Sequence, residues 1–502
     1  MKEKRIKPPA YIFKKLNRYF AVSTYSGDFY EVSEETYLAL NKWNEEIINL
    51  DKEPASDAVV KSAKTRGIPL NIIESFLSSE KSRSSNEEGD IPTNITDLTL
   101  NLTSKCNLRC LYCWNDQGRY SDASFQKGRY DAVQKPDIEK DMTVEVARKS
   151  VDILVNLCNS DRNLVVDFYG GEPLMNLETL LATVDYCRRN EAKWNASFHF
   201  LLATNGTLLT PSLAEELIDK GIQIAVSIDG PKSVQDNNRP FVNGDGSFDK
   251  IASNLKNMPD KIIKRLVGRT TVTPFYTDMV KLYKNLRDLG FERIELFESE
   301  DACHRVTPAR ESVFFGTAQQ YRILREEYER LAQFYIDETI GGFLDYRKTF
   351  FNRFFKLMQR LYYNHEISGG CPAAKGQIAV SSEGDIYPCT SFLGVERFNL
   401  GNVQDGLDTE KYNRFIKDIE RRLDNCSDCP LFSLCRSTGS CLNMNYYFCG
   451  DPALPYQVSC ELFREKLELA IACLAVLSEK IPHRLEEVFG FDPVGKRGNE
   501  LY

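Results

Sequence analysis

Cys106, Cys110 and Cys113 stand at x3 and then x2 spacing in the run Ser104-Lys105-Cys106-Asn107-Leu108-Arg109-Cys110-Leu111-Tyr112-Cys113. The run follows directly on the strand-like stretch from Ile95 to Leu102. Three thiolates on one loop can hold three irons of a cubane cluster and leave the fourth iron without a protein ligand, open to a cosubstrate. A zinc site usually completes its tetrahedron with a second knuckle, and no Cys or His follows Cys113 at short range. Structural zinc, or thiols that merely pack, is the alternative.

The rest of the chain must position that loop. At 502 residues it is too long for one ordinary core, and about 150 residues per domain gives two to four units. The amino terminus, Met1 to Lys7, is charged, with no apolar h-region behind it, and no apolar run reaches membrane-spanning length. A cytoplasmic protein without a membrane partner is expected. Fifteen cysteines in such a chain argue for thiolates used as ligands, because cytosolic disulfides are rare. A net charge of −8 speaks against a nucleic-acid partner. The basic segment from Lys2 to Arg18 reads as a solvated face, or more sharply as a docking edge for an acidic peptide.

Residues 1–80 read as a small hairpin-plus-helices module of winged-helix type. Strands are expected at Tyr19 to Tyr25 and Phe29 to Val32, an N-cap at Ser33, and helices after it, from Ala55 to Ala63 and from Leu70 to Leu77. Residues 81–94 close a polar, Ser-rich linker. From 95 to 307 apolar strand-like runs alternate with amphipathic stretches, at Leu98 to Leu102, Leu164 to Tyr169, Ser197 to Thr204, Ile222 to Ile228, Leu266 to Thr273 and Ile294 to Phe297. Six such repeats indicate parallel βαβ units closing into a partial (β/α)6 barrel, so the fold class is α/β. Residues 308–370 form a helical bridge, whose stripe of Phe343, Phe350, Phe351, Phe354, Phe355, Leu357, Met358 and Leu361 is core packing. A cysteine-rich unit follows at 371–462, and a helix and tail at 463–502.

In a parallel barrel the ligand site gathers at the carboxyl ends of the strands, where the cysteine triplet lies. Similar ends carry Gly170-Gly171-Glu172-Pro173, Thr204-Asn205-Gly206-Thr207, Ser227-Ile228-Asp229-Gly230-Pro231 and Arg269 to Pro274. Paired glycines let backbone approach a ligand, and a Glu with exposed carbonyls accepts from an ammonium group. The combination of CxxxCxxC after strand one, GGEP after strand two and SIDGP after strand four resembles the radical SAM superfamily. That resemblance implies a 4Fe-4S cluster on Cys106, Cys110 and Cys113, with S-adenosylmethionine chelating the free iron. It further implies Gly170, Gly171, Glu172 and Pro173 at the methionyl ammonium and Tyr112 at the adenine. Asn205 belongs to the same set of cosubstrate contacts, with Ser227 and Asp229 at the ribose. Arg239 or Arg269 would pair the carboxylate, since a guanidinium fork binds one bidentately; a surface ion pair is the alternative for either.

Residues 371–460 hold eight cysteines: Cys371, Cys389, Cys426, Cys429, Cys435, Cys441, Cys449 and Cys460. The order Cys371, then Gly384-x4-Cys389, then Cys426-x2-Cys429-x5-Cys435, then Cys460 resembles the SPASM extension of radical SAM enzymes, which holds two auxiliary 4Fe-4S clusters. Five residues rather than the family's three separate Cys435 from Cys441. The resemblance implies an outer cluster on Cys426, Cys429, Cys435 and Cys460, and an inner one on Cys371, Cys389 and Cys441. The inner set is one ligand short: either Cys449 completes it or that iron is open. Zinc is the rival for C-x2-C runs. Cys158, Cys187 and Cys473 sit in helical apolar contexts as ordinary buried thiols, and Cys303 lies in a loop after strand six.

Among SPASM enzymes the chain resembles maturases of ribosomally made peptides, with the N-terminal module as a leader-recognition domain. That likeness implies a precursor peptide as partner, bound through its leader by strand addition, and an electron donor such as flavodoxin or ferredoxin. Pro455 to Leu462 is similar to maturases that link Cys sulfur to a side-chain carbon. Carbon-carbon crosslinking and formylglycine formation in sulfatases use similar chains. A non-catalytic, metal-stabilised binding protein is the reading from another class; it leaves GGEP and SIDGP unexplained. Glu298, Glu300 and Asp301 fall near the pocket mouth as acids with no assigned role.

Overall fold

The computed structural model describes residues 8, 10–48, 63–77, 94–113, 140–158, 162–299, 315, 318–342, 352–363, 371–435 and 439–489. The expected helix at 55–62, most of the linker, Glu300, Asp301, Cys303, Phe343, Phe350 and Phe351 lie outside them.

The largest element is one ten-stranded sheet in the order β13-β12-β11-β10-β4-β5-β6-β7-β8-β9. Its parallel part comprises β4 (Asp97–Asn101), β5 (Asn163–Tyr169), β6 (Ser197–Thr204), β7 (Ile222–Ser227), β8 (Val267–Val272) and β9 (Arg293–Glu298). These strands alternate with helices, as parallel crossovers require. Alternation along each strand sends Leu98, Leu100, Leu164, Val166, Phe168, Ile224, Val226, Ile294 and Leu296 into the core, each with no exposure. The opposite face carries Thr99, Asp167, Tyr169, Ala203, Ser227, Arg269, Thr271 and Phe297, all partly accessible.

The sheet curls toward that second face. Asp167 on β5 is within electrostatic reach of Arg269 on β8, three strand spacings away, or about 14 Å if the sheet were flat. Likewise Tyr112, beyond the end of β4, hydrogen-bonds Asp229, beyond the end of β7. The result is a trough whose rim is built from strand ends.

Beyond β4 the sheet continues through β10 (Gln377–Val380), β11 (Asp385–Tyr387), β12 (Gly401–Asn402) and β13 (Gly406–Leu407). β10 runs parallel to β4, with Ile378 opposite Leu98, and the others are antiparallel. The cysteine-rich segment is therefore fused to the strand that leads into the cysteine triplet. Strands of two to four residues carry too little alternation to be read from sequence.

A separate three-stranded antiparallel sheet, β1 (Ala10–Lys15), β2 (Arg18–Ser23) and β3 (Phe29–Val32), packs with the helices Glu34–Ile48 and Leu70–Leu77 around Trp43, Phe76 and Ile73. Ser33 caps the first helix by accepting from the Thr36 amide at 3.1 Å. β1 was not expected, because basic residues mask its alternation. Basic residues of the first two strands are spent on the chain itself: Lys15 of β1 pairs with Glu465 and with Glu329 at 3.1 Å, and Arg18 of β2 with Glu479 and with Glu31 at 2.8 Å. Tyr11 donates to Glu468. Tyr11, Lys15 and Arg18 thus fasten the small sheet to the helix Gln457–Lys480, and β1 and β3 are its edge strands among the described residues.

Two helices follow the sheet, Ala318–Ile340 and Asn352–Tyr362, and Phe354, Leu357 and Met358 are buried in the core. Glu298 at the end of β9 turns outward to this layer. It pairs with Lys466 and accepts from the Tyr328 hydroxyl, and both charged side chains are about nine-tenths buried. Breaking a buried pair from one side strands a charge and costs about 3–5 kcal/mol. Lys466→Met should therefore lower the apparent melting temperature of the iron-free chain by several degrees, and Glu298→Gln in the same background should recover much of it; no change in the single variant would refute this role.

Candidate functional site: thiol sets along one sheet

The cysteine triplet sits on a loop held from three sides. Arg109 and Leu111 donate their amides to the carbonyls of Pro240 and Asn238, both at 2.8 Å. Gly171 and Glu172 donate theirs to the Thr103 and Lys105 carbonyls at 2.7 and 2.8 Å. The third support is Asn205, whose side-chain amide donates to the Asn107 oxygen at 2.8 Å and lies 3.9 Å from the Cys106 sulfur.

This packing explains the two glycines. Gly170 has a φ of +137°, and a Cβ there would come within 2.5 Å of the Thr103 carbonyl. A Cβ on Gly171 would overlap the Lys105 carbonyl. The backbone that these glycines admit is thus the cysteine loop itself. Glu172 is fully buried and accepts from Thr204 Oγ1 and the Asn205 amide, both at 2.7 Å, and from the Leu174 amide at 3.2 Å. Its carboxylate ties two strand ends together. Among the described residues the Gly170 and Gly171 carbonyls accept no hydrogen bond, which leaves them for an ammonium group.

Asp229 is the hub of the rim and has no exposure. It accepts from the Tyr112 hydroxyl, the Thr271 amide at 3.0 Å, Asn238 Nδ2 at 3.1 Å and Arg239 Nε at 3.2 Å. Arg239 also lies over the Tyr112 ring at 5.1 Å, with Nη1 3.9 Å from the Cys110 sulfur. Burial works against the Arg239 charge, but Asp229 holds its pKa well above the ordinary value. The Tyr112 phenol is pushed well up by burial, despite the opposing pull of Arg239. Ser227 is partly exposed and its hydroxyl makes no hydrogen bond among the described residues. Arg269 is not brought to the thiols: in register with Ser227, it lies deeper in the trough, with Nε 2.9 Å from Glu295 and its guanidinium 5.4 Å from the Phe297 ring.

The donor set suits an iron-sulfur cluster. Cys106, Cys110 and Cys113 are partly accessible, and the Leu108 amide lies 3.4 Å from the Cys106 sulfur, a contact that favours a thiolate. Burial pushes the Cys110 thiol up although Arg239 opposes it. A bound metal takes such a proton outright. Among the described residues no three His, Cys, Asp or Glu side chains converge on a single ion; a cube, which takes its thiolates at separate corners, does not require it.

Seven of the carboxyl-terminal cysteines fall into two groups. Cys389, at the end of β11, is buried with its thiol raised by burial and by Cys441 and Cys371. Gly384, five residues before Cys389, turns the β10–β11 hairpin at a φ of +91°. Cys460, in the first turn of the helix Gln457–Lys480, has its thiol pushed up to about 12 by burial and by Cys435, Cys426 and Cys429. The Gly439 amide lies 3.2 Å from the Cys435 sulfur. Cys449 stands apart: it is exposed, and its thiol is raised by burial of its base and by Asp451, with no cysteine contributing. Cys158, Cys187 and Cys473 are fully buried.

The radical SAM superfamily profile matches residues 100–287, and the profile of SPASM, an iron-sulfur cluster-binding domain, matches residues 371–430. The cysteine-type anaerobic sulfatase-maturating enzyme of Clostridium perfringens is 25% identical over 399 residues, 76% of this chain and 97% of its own. The radical SAM cyclopropyl synthase TigE of Paramaledivibacter caminithermalis is 23% identical over 445 residues, 84% of this chain and 81% of its own. A solved structure titled native anSMEcpe with bound AdoMet and Cp18Cys peptide shares the fold at a TM-score of 0.58, with 23% identity, covering 77% of this chain and all of that one. The cofactors are accordingly a 4Fe-4S cluster with S-adenosylmethionine and auxiliary iron-sulfur clusters. Both profiles lie on one continuous sheet, so the chain carries a radical SAM domain at residues 100–287 and a SPASM iron-sulfur cluster-binding domain at residues 371–430.

Proposed function

We propose that this enzyme oxidatively crosslinks a ribosomally made precursor peptide, joining a Cys sulfur to a side-chain carbon. The observation that carries the reading is the separation of thiols: one incomplete set at the rim of the trough, and two further sets on a segment fused to the same sheet. A reaction that ends oxidised needs an exit for the surplus electron, and the auxiliary sets supply one. When bound, the rim cluster and S-adenosylmethionine supply a 5′-deoxyadenosyl radical able to take hydrogen from carbon.

The chain's own residues do the positioning. Cys106, Cys110 and Cys113 hold the rim cluster, the Gly170 and Gly171 carbonyls take the ammonium, and Arg239 beside Cys110 is placed for the carboxylate. Ser227 offers a free hydroxyl to the ribose and Tyr112 a ring to the adenine. Asp229, saturated by four donors, sets Tyr112 and Arg239 and is a positioning residue. Residues 95–307 form the partial barrel that carries the rim, and residues 371–462 hold Cys426, Cys429, Cys435 and Cys460 as one auxiliary set and Cys371, Cys389 and Cys441 as the other.

Residues 1–80 serve as the peptide-docking module, with β3, which pairs with β2 alone among the described residues, as the edge for an added strand. Among the described residues no helix is long and apolar enough to cross a membrane, and a small electron carrier such as flavodoxin or ferredoxin would feed the enzyme. Deleting residues 1–80 should weaken precursor binding at least tenfold while uncoupled S-adenosylmethionine cleavage persists; full affinity, measured by fluorescence anisotropy, would refute the docking role. Formylglycine formation is the second reading, favoured by the match to nearly the whole Clostridium perfringens enzyme. The products differ: a crosslink keeps sulfur and loses two hydrogens, whereas formylglycine loses the sulfur, so the mass of a co-expressed precursor decides between them.

A further inference from the structure

The open face of the trough carries a layer of charge beneath the strand-end rim. Asp97 comes from β4, Asp167 from β5, Arg269 from β8 and Glu295 from β9, all facing the side opposite the helices. Three carboxylates thus share one face with the Arg269 guanidinium. Glu295 holds Arg269 at 2.9 Å, and Asp97 accepts from Thr96 Oγ1 at 2.6 Å. Among the described residues Asp167 accepts no hydrogen bond and makes no ion pair. It lies three residues before Gly170, about 10 Å along the strand at ~3.3 Å per residue, so it looks into the space directly below the cosubstrate's seat.

We propose that Asp167 is the proton acceptor for the peptide, a role that rests on the crosslinking reading above. Forming one carbon-sulfur bond removes one hydrogen from each partner. The carbon's hydrogen leaves as an atom to the deoxyadenosyl carbon, the sulfur's proton passes to the Asp167 carboxylate, and the remaining electron goes to an auxiliary iron-sulfur cluster as one-electron oxidant. A half-buried carboxylate that accepts no hydrogen bond among the described residues suits that task.

Burial is the main cause that raises the Asp167 carboxyl to about 6, with Asp97 adding to it and Arg269 opposing it. Tyr169 on the same strand, His199 on β6 and Arg293 on β9 also face this side among the described residues. A carboxyl raised in this way is a base only above about pH 6, so crosslink formation should rise with pH through that value.

Asp167→Asn in the anaerobically reconstituted full chain should keep its iron and its precursor affinity within twofold, keep releasing 5′-deoxyadenosine, and lose crosslinked product at least about 100-fold. Asp167→Glu should restore part of the product and the pH dependence. Independently of activity, pH-difference infrared spectra should show a carboxyl band titrating near pH 6 that Asp167→Asn removes. Product from Asp167→Asn at close to the wild-type rate, loss of iron along with product, or absence of the band would each overturn the assignment. A band present while the wild type makes no crosslink would overturn the linkage reading, and with it the role given to Asp167.

Discussion

Replacing Cys110 by Ala should abolish 5′-deoxyadenosine formation and remove one cluster's worth of iron, while the fold survives. The thiol is one of three on a loop whose backbone is fixed independently of it, through the Pro240, Asn238, Thr103 and Lys105 carbonyls. The loop therefore keeps its shape when the sulfur goes. What is lost is a ligand, and two thiolates hold a cubane poorly. Arg239, freed of its contact with Cys110 Sγ at 3.9 Å, retains Asp229. Iron and sulfide analysis with far-ultraviolet circular dichroism separates this outcome from unfolding. Retained cleavage of S-adenosylmethionine would show that the triplet does not hold the reactive cluster.

The second large effect concerns the auxiliary sets. Cys441→Ala should lose iron and crosslinked product while still cleaving S-adenosylmethionine, because the rim cluster lies on another segment of the sheet. Cys449→Ala should change neither. The distinction follows from placement: Cys441 acts electrostatically on Cys389, whereas Cys449 is exposed and responds only to burial and Asp451. The inner set then holds three thiols with an open iron. Iron loss on Cys449→Ala would contradict this and make Cys449 the fourth ligand.

The parallel strands were legible because buried β-branched and aromatic runs alternate with amphipathic helices; Ser197–Thr204 lies where the residue pattern puts it. β1 was hidden by its lysines, of which Lys15 pairs with Glu329 and Glu465, more than 300 residues away in sequence, and no local pattern can show such partners. β10 to β13 are too short for periodicity, so the fusion of the cysteine-rich segment to β4 was invisible. The thiol spacings pointed to the groups into which the chain folds, but left the place of Cys449 open. Gly170 and Gly171 stood out for the close backbone approach they permit, but nothing in their pattern showed that the cysteine loop is the backbone they admit. Arg239 and Arg269 were indistinguishable in sequence, because only the curl of the sheet decides which guanidinium reaches Cys110. Asp167 was missed altogether, although a lone Asp in Asn163-Leu164-Val165-Val166-Asp167-Phe168-Tyr169, at a position facing away from the helices, was the available signal.

The most direct test of the account incubates the anaerobically reconstituted enzyme with S-adenosylmethionine, dithionite and a Cys-containing precursor deuterated at its side-chain carbons. Crosslinking predicts 5′-deoxyadenosine that carries deuterium, formed in step with a peptide that has lost two hydrogens and kept its sulfur. Unlabelled 5′-deoxyadenosine with a peptide of unchanged mass, or a peptide that has lost its sulfur, would contradict it.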